Sequence, residues 1–261
     1  MKPVSVGIRE LDAALLGGFR PGSTVTLVSD PTGSKDALVR NFLYACLENG
    51  FSVVYVSILR RPESVISSLE EAYGSGVRDF LKKQQLVFVN FLSEHSSEVG
   101  PYDVAVGRFF STPVPMRLWE FPVRDSNNLV DVSVAFKKAV ASTLSPENAV
   151  VIVESVADEL LEVNLEVALK FDRKVETDLR AMGVKLLFYV IPKGIRDDFI
   201  LPFEHYSDYV LELQTREEGR NLRDFLRIAK SPTRLDSGWS ELVVDDRVLS
   251  LKTGRAPAKN S

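Results

Sequence analysis

The chain has 261 residues, of which 45% are hydrophobic and 26% charged, with a formal net charge of −4. That length and balance suit one large soluble globular domain and exclude a fibrous or disordered chain. The mild acidity does not indicate a nucleic-acid binder, and no apolar run approaches the ~20 residues that span a bilayer. Cys46 is the only cysteine, which rules out intramolecular disulfides. With His95 and His205 far apart, no metal site is expected. The N-terminus carries no signal-peptide pattern, so a cytoplasmic, non-membrane protein is expected.

In chain order, Thr24 to Val28 is an apolar strand-like run and Lys35 to Asn49 reads as a helix. Between them lies Ser29-Asp30-Pro31-Thr32-Gly33-Ser34-Lys35-Asp36. A strand–loop–helix is the setting of a phosphate-binding loop, whose consensus is G-x-x-x-x-G-K-[ST]. Here Ser29 and Ser34 stand at the glycine positions, Asp36 stands at that of the Mg²⁺-binding hydroxyl, and Lys35 alone matches. Phosphate-loop glycines let backbone N–H groups curl around an anion without Cβ clashes. Ser34 therefore crowds the loop, and Asp30 and Asp36 bring negative charge towards it.

Phe51 to Leu59 reads as a strand buried on both faces. Pro62 suits the first turn of a helix that places Val65, Ile66 and Leu69 on one face. Gln85 to Leu92 and Asn148 to Val156 are further strands. A helix is expected from Ala157 to Met182, ended by Gly183, then a strand from Val184 to Ile191 stopped by Pro192. Strands separated by helix-length segments indicate a mainly parallel sheet with helices on its faces. Tyr209 to Leu213, Asp224 to Ala229, Glu241 to Val244 and Val248 to Leu251 follow closely. They read as an appended antiparallel β-meander with Asp245-Asp246 in a turn. The expected organisation is one domain over 1–251 and a flexible basic tail over 252–261. Within the domain, 93–128 is an atypical insertion or interaction segment. Its aromatics Phe109, Phe110, Trp119 and Phe121 either close an open edge of the core or meet a partner.

These elements, in this order, resemble the KaiC/RadA branch of the RecA-like ATPases. Ser5 to Ser23 (SVGIRELDAALLGGFRPGS) carries that branch's N-terminal pattern at Gly7, Ile8, Leu11, Asp12, Leu16, Gly17, Gly18 and Gly22. G-x-x-V-x-Y-V-S follows at Gly50 to Ser57, and Val150 to Ser155 resembles a Walker B strand, with Glu154 at the carboxylate position. Arg227 to Lys230, a turn at Gly238 and a terminal hairpin match the C-terminal end. The resemblance covers nearly the whole chain and is weakest over 93–128.

The resemblance implies an α/β RecA-like P-loop NTPase fold, with an archaeal origin expected. It also implies a nucleotide site, here vestigial, formed by Ser29, Thr32, Gly33, Ser34, Lys35, Asp36 and Glu154. Family members usually carry Glu-Glu after the second strand, one of which activates the attacking water; this chain has Leu59-Arg60, neither of them a general base near neutral pH. Polar sensor residues are replaced by Val190-Ile191-Pro192. No catalytic or metal residues and no cofactor are therefore expected, with ATP and Mg²⁺ admitted only if the altered loop still binds phosphate. The expected role is that of a catalytically degenerate regulatory or signalling protein. Its partner would be a protein, whether a second copy or a RecA-like paralogue; DNA is not indicated. Two alternatives stand beside it. One is an atypical ATPase of DNA recombination or repair, with Asp36 and Glu154 on the metal and Glu63 activating water. The other is a sensor that binds nucleotide without turnover. Two smaller signals are Phe42 to Ala45, which matches an F-x-x-A docking pattern on the apolar face of a helix, and Lys230, which stands where KaiC-like proteins reach into a neighbour's nucleotide.

Overall fold

The computed structural model describes residues 2–30, 34–92, 119–123, 128–154, 165–194, 197–218, 221–233, 237–245 and 248–252. In chain order these form α1 (Arg9–Ala14), β1 (Ser23–Ser29), α2 (Ser34–Glu48), β2 (Ser52–Ser57), α3 (Pro62–Tyr73), α4 (Val77–Lys82), β3 (Leu86–Asn90) and β4 (Glu120–Pro122). There follow α5 (Leu129–Ser142), β5 (Ala149–Val153), α6 (Leu165–Ala181), β6 (Leu186–Pro192), α7 (Asp197–Tyr206), β7 (Tyr209–Glu218), β8 (Asn221–Lys230), β9 (Ser240–Asp245) and β10 (Val248–Lys252).

The strands make one sheet in the order β10-β9-β8-β7-β1-β6-β5-β2-β3-β4. The stretch from β7 to β4 is parallel, and β7 to β10 is the expected antiparallel meander. Every residue of β1, β2, β3 and β5 is buried, as a parallel strand covered on both faces requires. The chain leaves β1 and returns in β2 three strands away, on the far side of β6 and β5. The carboxyl ends of β1, β2, β5 and β6 thus converge at the crevice where open α/β sheets hold their ligands.

The N-terminal motif wraps this frame. Asp12 accepts hydrogen bonds from Val6 N (2.7 Å), Gly7 N (3.2 Å) and Ser5 Oγ (2.6 Å), and Gly7 takes φ +80°. Phe19, fully buried, meets Phe42, Phe188 and Tyr209 at ring-centroid distances of 6.0, 6.3 and 5.1 Å. Phe42 is itself fully buried in this cluster, so the F-x-x-A pattern here is core packing.

Several expectations change. Pro192 does not stop β6 but is its last residue, opposite Ser29, and Lys193 N donates to Ser29 O (2.7 Å) to extend the ladder. Helices α1, α4, α5 and α7 are added to those read from the sequence; α7 carries Pro202 inside it, which masked its periodicity. Of the two readings of the 93–128 aromatics, the described end of the segment follows the one that closes an open edge of the core. β4 extends the sheet beside β3, and Trp119, 4% exposed, packs edge-on against Phe88 at 5.5 Å. Asn128 then caps α5, accepting from Val130 N at 3.0 Å. Phe109 and Phe110, the predicted helical stretch before Leu165, and the tail after Lys252 lie outside the described residues. Lys230 donates to the carbonyls of Glu204 (3.0 Å) and His205 (2.8 Å) and so caps α7 of its own chain.

Beneath α6, the Tyr189 hydroxyl donates to Asp172 Oδ1 at 2.9 Å. Burial, with Glu176 nearby, pushes the Asp172 carboxyl up to about 7. The folded chain therefore holds a proton that the unfolded chain releases near pH 4, so this group's contribution falls as pH rises from about 4 to 7. Asp172→Asn should remove that slope. Thermal unfolding at pH 5 and pH 7.5 should show the wild type losing ~2 kcal/mol relative to the variant, less than the full displacement would give, because the residue keeps partial solvent access. Parallel profiles for the two proteins would count against it.

Candidate nucleotide-site position

Ser29 closes β1, Ser34 opens α2, Ser57 closes β2 and Glu154 follows β5, so the described ones among the predicted residues lie at the carboxyl ends of these neighbouring strands. Thr32 and Gly33 lie outside the described residues. The flanks of the loop are tied to the meander. Asp30 N donates to Leu213 O (3.1 Å), and Asp30 Oδ2 accepts from Thr215 N (2.7 Å). Lys193 Nζ stands 3.6 Å from Asp30 Oδ1. The Asp30 charge is therefore turned towards β7 and a lysine. The Ser34 hydroxyl donates to Asp224 Oδ2, and Thr215 Oγ1 donates to Asp224 Oδ1 at 2.5 Å. Ser29 Oγ is buried and has no hydrogen-bond partner among the described residues.

Arg60 lies at the centre of the crevice. Its backbone is held by the Ser57 hydroxyl, which donates to the Arg60 carbonyl. Its guanidinium turns inward, and each nitrogen meets a different group: Nε donates to Glu154 Oε1 at 2.5 Å, Nη2 donates to the Tyr55 hydroxyl at 2.8 Å, and Nη1 lies 3.8 Å from Asp36 Oδ2. Lys35 Nζ lies 3.8 Å from the other oxygen of Asp36. The result is an alternating row, Lys35–Asp36–Arg60–Glu154, joining α2, the β2–α3 turn and the end of β5. The Glu154 side chain is 4% exposed, against 28% for Arg60 and 46% for Asp36. Burial pushes the Glu154 carboxyl up while Arg60 pulls it down. Burial opposes the Arg60 charge too, but Tyr55, Glu154 and Asp36 outweigh it, so the guanidinium stays cationic at every accessible pH. Burial, with Glu154 close by, raises the Tyr55 hydroxyl well above its ordinary range, which keeps it neutral.

A divalent cation does not fit this donor set. Asp36 and Glu154, the two carboxylates at the metal-ligand positions, are both engaged by Arg60, and Mg²⁺ would have to expel a guanidinium held at three nitrogens. Glu63, the alternative water activator, sits exposed in the first turn of α3, where its charge raises the neighbouring Glu120 after burial has done so. Sequence reasoning found Ser34, Lys35, Asp36 and Glu154 but missed Tyr55, Thr215, Asp224 and the inward role of Arg60. One signal was available: a hydroxyl had become an acid at Asp36 and an acid had become a base at Arg60, a complementary charge exchange.

The sheet order, with β1 between β6 and β7 and the crevice at its carboxyl end, defines a RecA-like P-loop fold. A family model described as "ATPase: KaiC" matches residues 4–231. The chain belongs to that KaiC family. Among solved structures it is similar to the KaiC-like protein PH0186 from the hyperthermophilic archaeon Pyrococcus horikoshii OT3, with 17% identity and a TM-score of 0.69 over 96% of this chain and 99% of that one. It is also similar to the flagellar accessory protein FlaH from Methanocaldococcus jannaschii, with 14% identity and a TM-score of 0.67 over 97% of this chain and 100% of that one. These likenesses establish the fold. No curated protein matches the chain. Among the described residues no helix is long and apolar enough to cross a membrane.

Proposed function

We propose that this KaiC-family chain acts by binding a protein partner, in regulation or signalling, and does not turn over ATP. The observation that carries the reading is the Arg60–Glu154 ion pair: a guanidinium stands where the family places a water-activating carboxylate, and it is bonded to the Walker B-position acid. Arg60 cannot accept a proton from water. Leu59, at the other glutamate position, is 50% exposed and offers the mouth of the crevice an apolar contact in place of a base. The partner is a protein, either a second copy or a RecA-like paralogue meeting the same edges of the fold. Among the described residues, none in the crevice calls for DNA.

The test is steady-state phosphate release from Mg·ATP by purified protein, with Lys35→Ala beside it, together with a thermal-shift titration. We expect no turnover above the Lys35→Ala background and no shift, where a ligand at ~100 times its dissociation constant would stabilise by about 2.7 kcal/mol. Turnover abolished by Lys35→Ala would refute the proposal in favour of an atypical ATPase. A thermal shift without turnover would replace it with the nucleotide-sensor reading.

A further inference from the structure

We infer that the fold carries a site for a small monovalent anion of the size of chloride, in a cavity of about 10 Å³ between α2 and α3 bordered by Arg40, Ser68, Tyr55 and Arg60. A cavity of that volume takes one water-sized species and has no room for phosphate, sulfate or a nucleotide. Arg40 Nε is buried and has no hydrogen-bond partner among the described residues. A buried N–H without an acceptor is costly, so an acceptor in the adjoining cavity is favoured. Arg40 also makes no ion pair among the described residues, although it is a permanent cation. Its Nη1 donates to Ser68 Oγ at 3.0 Å. Burial raises the nearby Tyr73 hydroxyl and the Arg40 guanidinium pulls it down, so the cation acts on its surroundings without a carboxylate to meet it.

The donor and acceptor balance of the lining selects an anion over water. Among the described residues, no carboxylate, amide or imidazole borders the cavity. A guanidinium only donates. Ser68 Oγ already accepts from Arg40, which leaves its own proton to give. The Tyr55 oxygen already accepts from Arg60 Nη2 at 2.8 Å. A water would bring two protons to a lining short of acceptors, whereas a halide accepts from every side. Arg60 has its charge met by Glu154 and Asp36, so Arg40 is the cation left for the anion to balance. The rest of the wall is buried aliphatic surface of the two helices, including Leu43 and Leu69, which strengthens the attraction by excluding water.

The anion would join α2 to α3 from within. Tyr44 and Tyr73 stack at a ring-centroid distance of 3.7 Å further along the same pair of helices and hold their separation, so the cavity cannot collapse onto Arg40. This inference is independent of ATP turnover and concerns the side of Arg60 away from Glu154.

The experiment uses the full chain, Arg40→Met and Arg40→Lys, prepared in sodium gluconate. Chloride is added at constant ionic strength, with binding followed by the broadening of the chloride nuclear magnetic resonance and by thermal unfolding. The wild type should broaden the signal saturably, and its midpoint should rise by about 2–5 °C with chloride at ~10 times its dissociation constant. Bromide should compete for the site, and phosphate and Mg·ATP should not. Arg40→Met should lose both responses. Arg40→Lys keeps a cation but lacks the Nε–H; it should weaken binding at least roughly tenfold and carries the test if the methionine variant does not fold. Absence of saturable broadening in the wild type would overturn the inference and leave the cavity to water. Broadening kept undiminished by a folded Arg40 variant, or displaced by phosphate or Mg·ATP, would place the anion elsewhere and overturn it as well.

Discussion

Arg60→Met should lower the unfolding free energy by about 3 kcal/mol in EDTA at pH 8, the low end of the cost of breaking a buried ion pair. The low end applies because the Arg60 side chain is 28% exposed whereas Glu154 is 4% exposed. Methionine keeps much of the aliphatic bulk, so the loss isolates the charge. Glu154 would be left buried without its counter-charge, and its carboxyl, already pushed up by burial, would rise further. The sign of the pH effect follows: a carboxyl whose folded pKa exceeds the unfolded one binds a proton on folding, so its penalty grows as pH rises and fades as pH falls. Arg60→Met should therefore approach the wild type at pH 5 and diverge from it at pH 8. Arg60→Met/Glu154→Leu should recover most of the loss, because an apolar pair demands no counter-charge, and denaturant unfolding of the wild type, Arg60→Met, Glu154→Leu and the double variant should give a coupling of ~2 kcal/mol. Additive losses would show that the two side chains act apart and that the pair does not hold the crevice together.

Gly18→Ala should cost ~3 kcal/mol or more, read as a lowered denaturant midpoint, because it breaks both the backbone and the packing of the N-terminal motif. Gly18 has φ +126°, and a Cβ there would lie 2.3 Å from Val4 O and 2.9 Å from Ser5 N. Neither is a flexible side chain that could yield. Val4 and Phe19 exchange two hydrogen bonds, at 2.8 and 2.9 Å, and that bridge would have to open. Opening it loosens Phe19 from the aromatic cluster that joins α2 to β6 and β7. Gly50→Ala is the contrast. At φ +83° it has the backbone cost alone, because a Cβ there meets nothing within 4 Å, and ~1 kcal/mol is expected. Equal losses at the two positions would mean that steric closure at Gly18 is not what the motif depends on.

Much of this fold is legible in local pattern. The buried strands, the helix after the loop, Pro62 at the start of α3 and Gly183 after α6 all follow from periodicity and from residues with restricted or unusual backbone angles. Where pattern misled, a local rule met a tertiary one. Proline suggested the end of β6, yet Pro192 has a place as its last residue because the ladder resumes at Lys193 N. Pro202 hid α7, whose Ile200 and Phe203 are held by burial against the sheet. For the proline-rich segment the pattern leaves core closure and partner contact both open, and its end forms a strand because β3 has a free edge that Trp119 and Val123 close.

Motif order and the resemblance to the KaiC/RadA family put Ser34, Lys35, Asp36 and Glu154 at the positions of a nucleotide site and Arg60 at a glutamate position. The sequence by itself also showed which residue types had been exchanged. Only the tertiary structure decided what those exchanges amount to. Arg60 reaches an acid 94 residues away, and Ser34 reaches one 190 residues away. Such pairs form because the sheet order carries β2 and β5 to adjacent positions and folds the meander beside β1. Charge at a position can be read from one residue. Whether that charge repels a ligand or completes a neighbour depends on a distance of a few ångströms, and packing sets that distance.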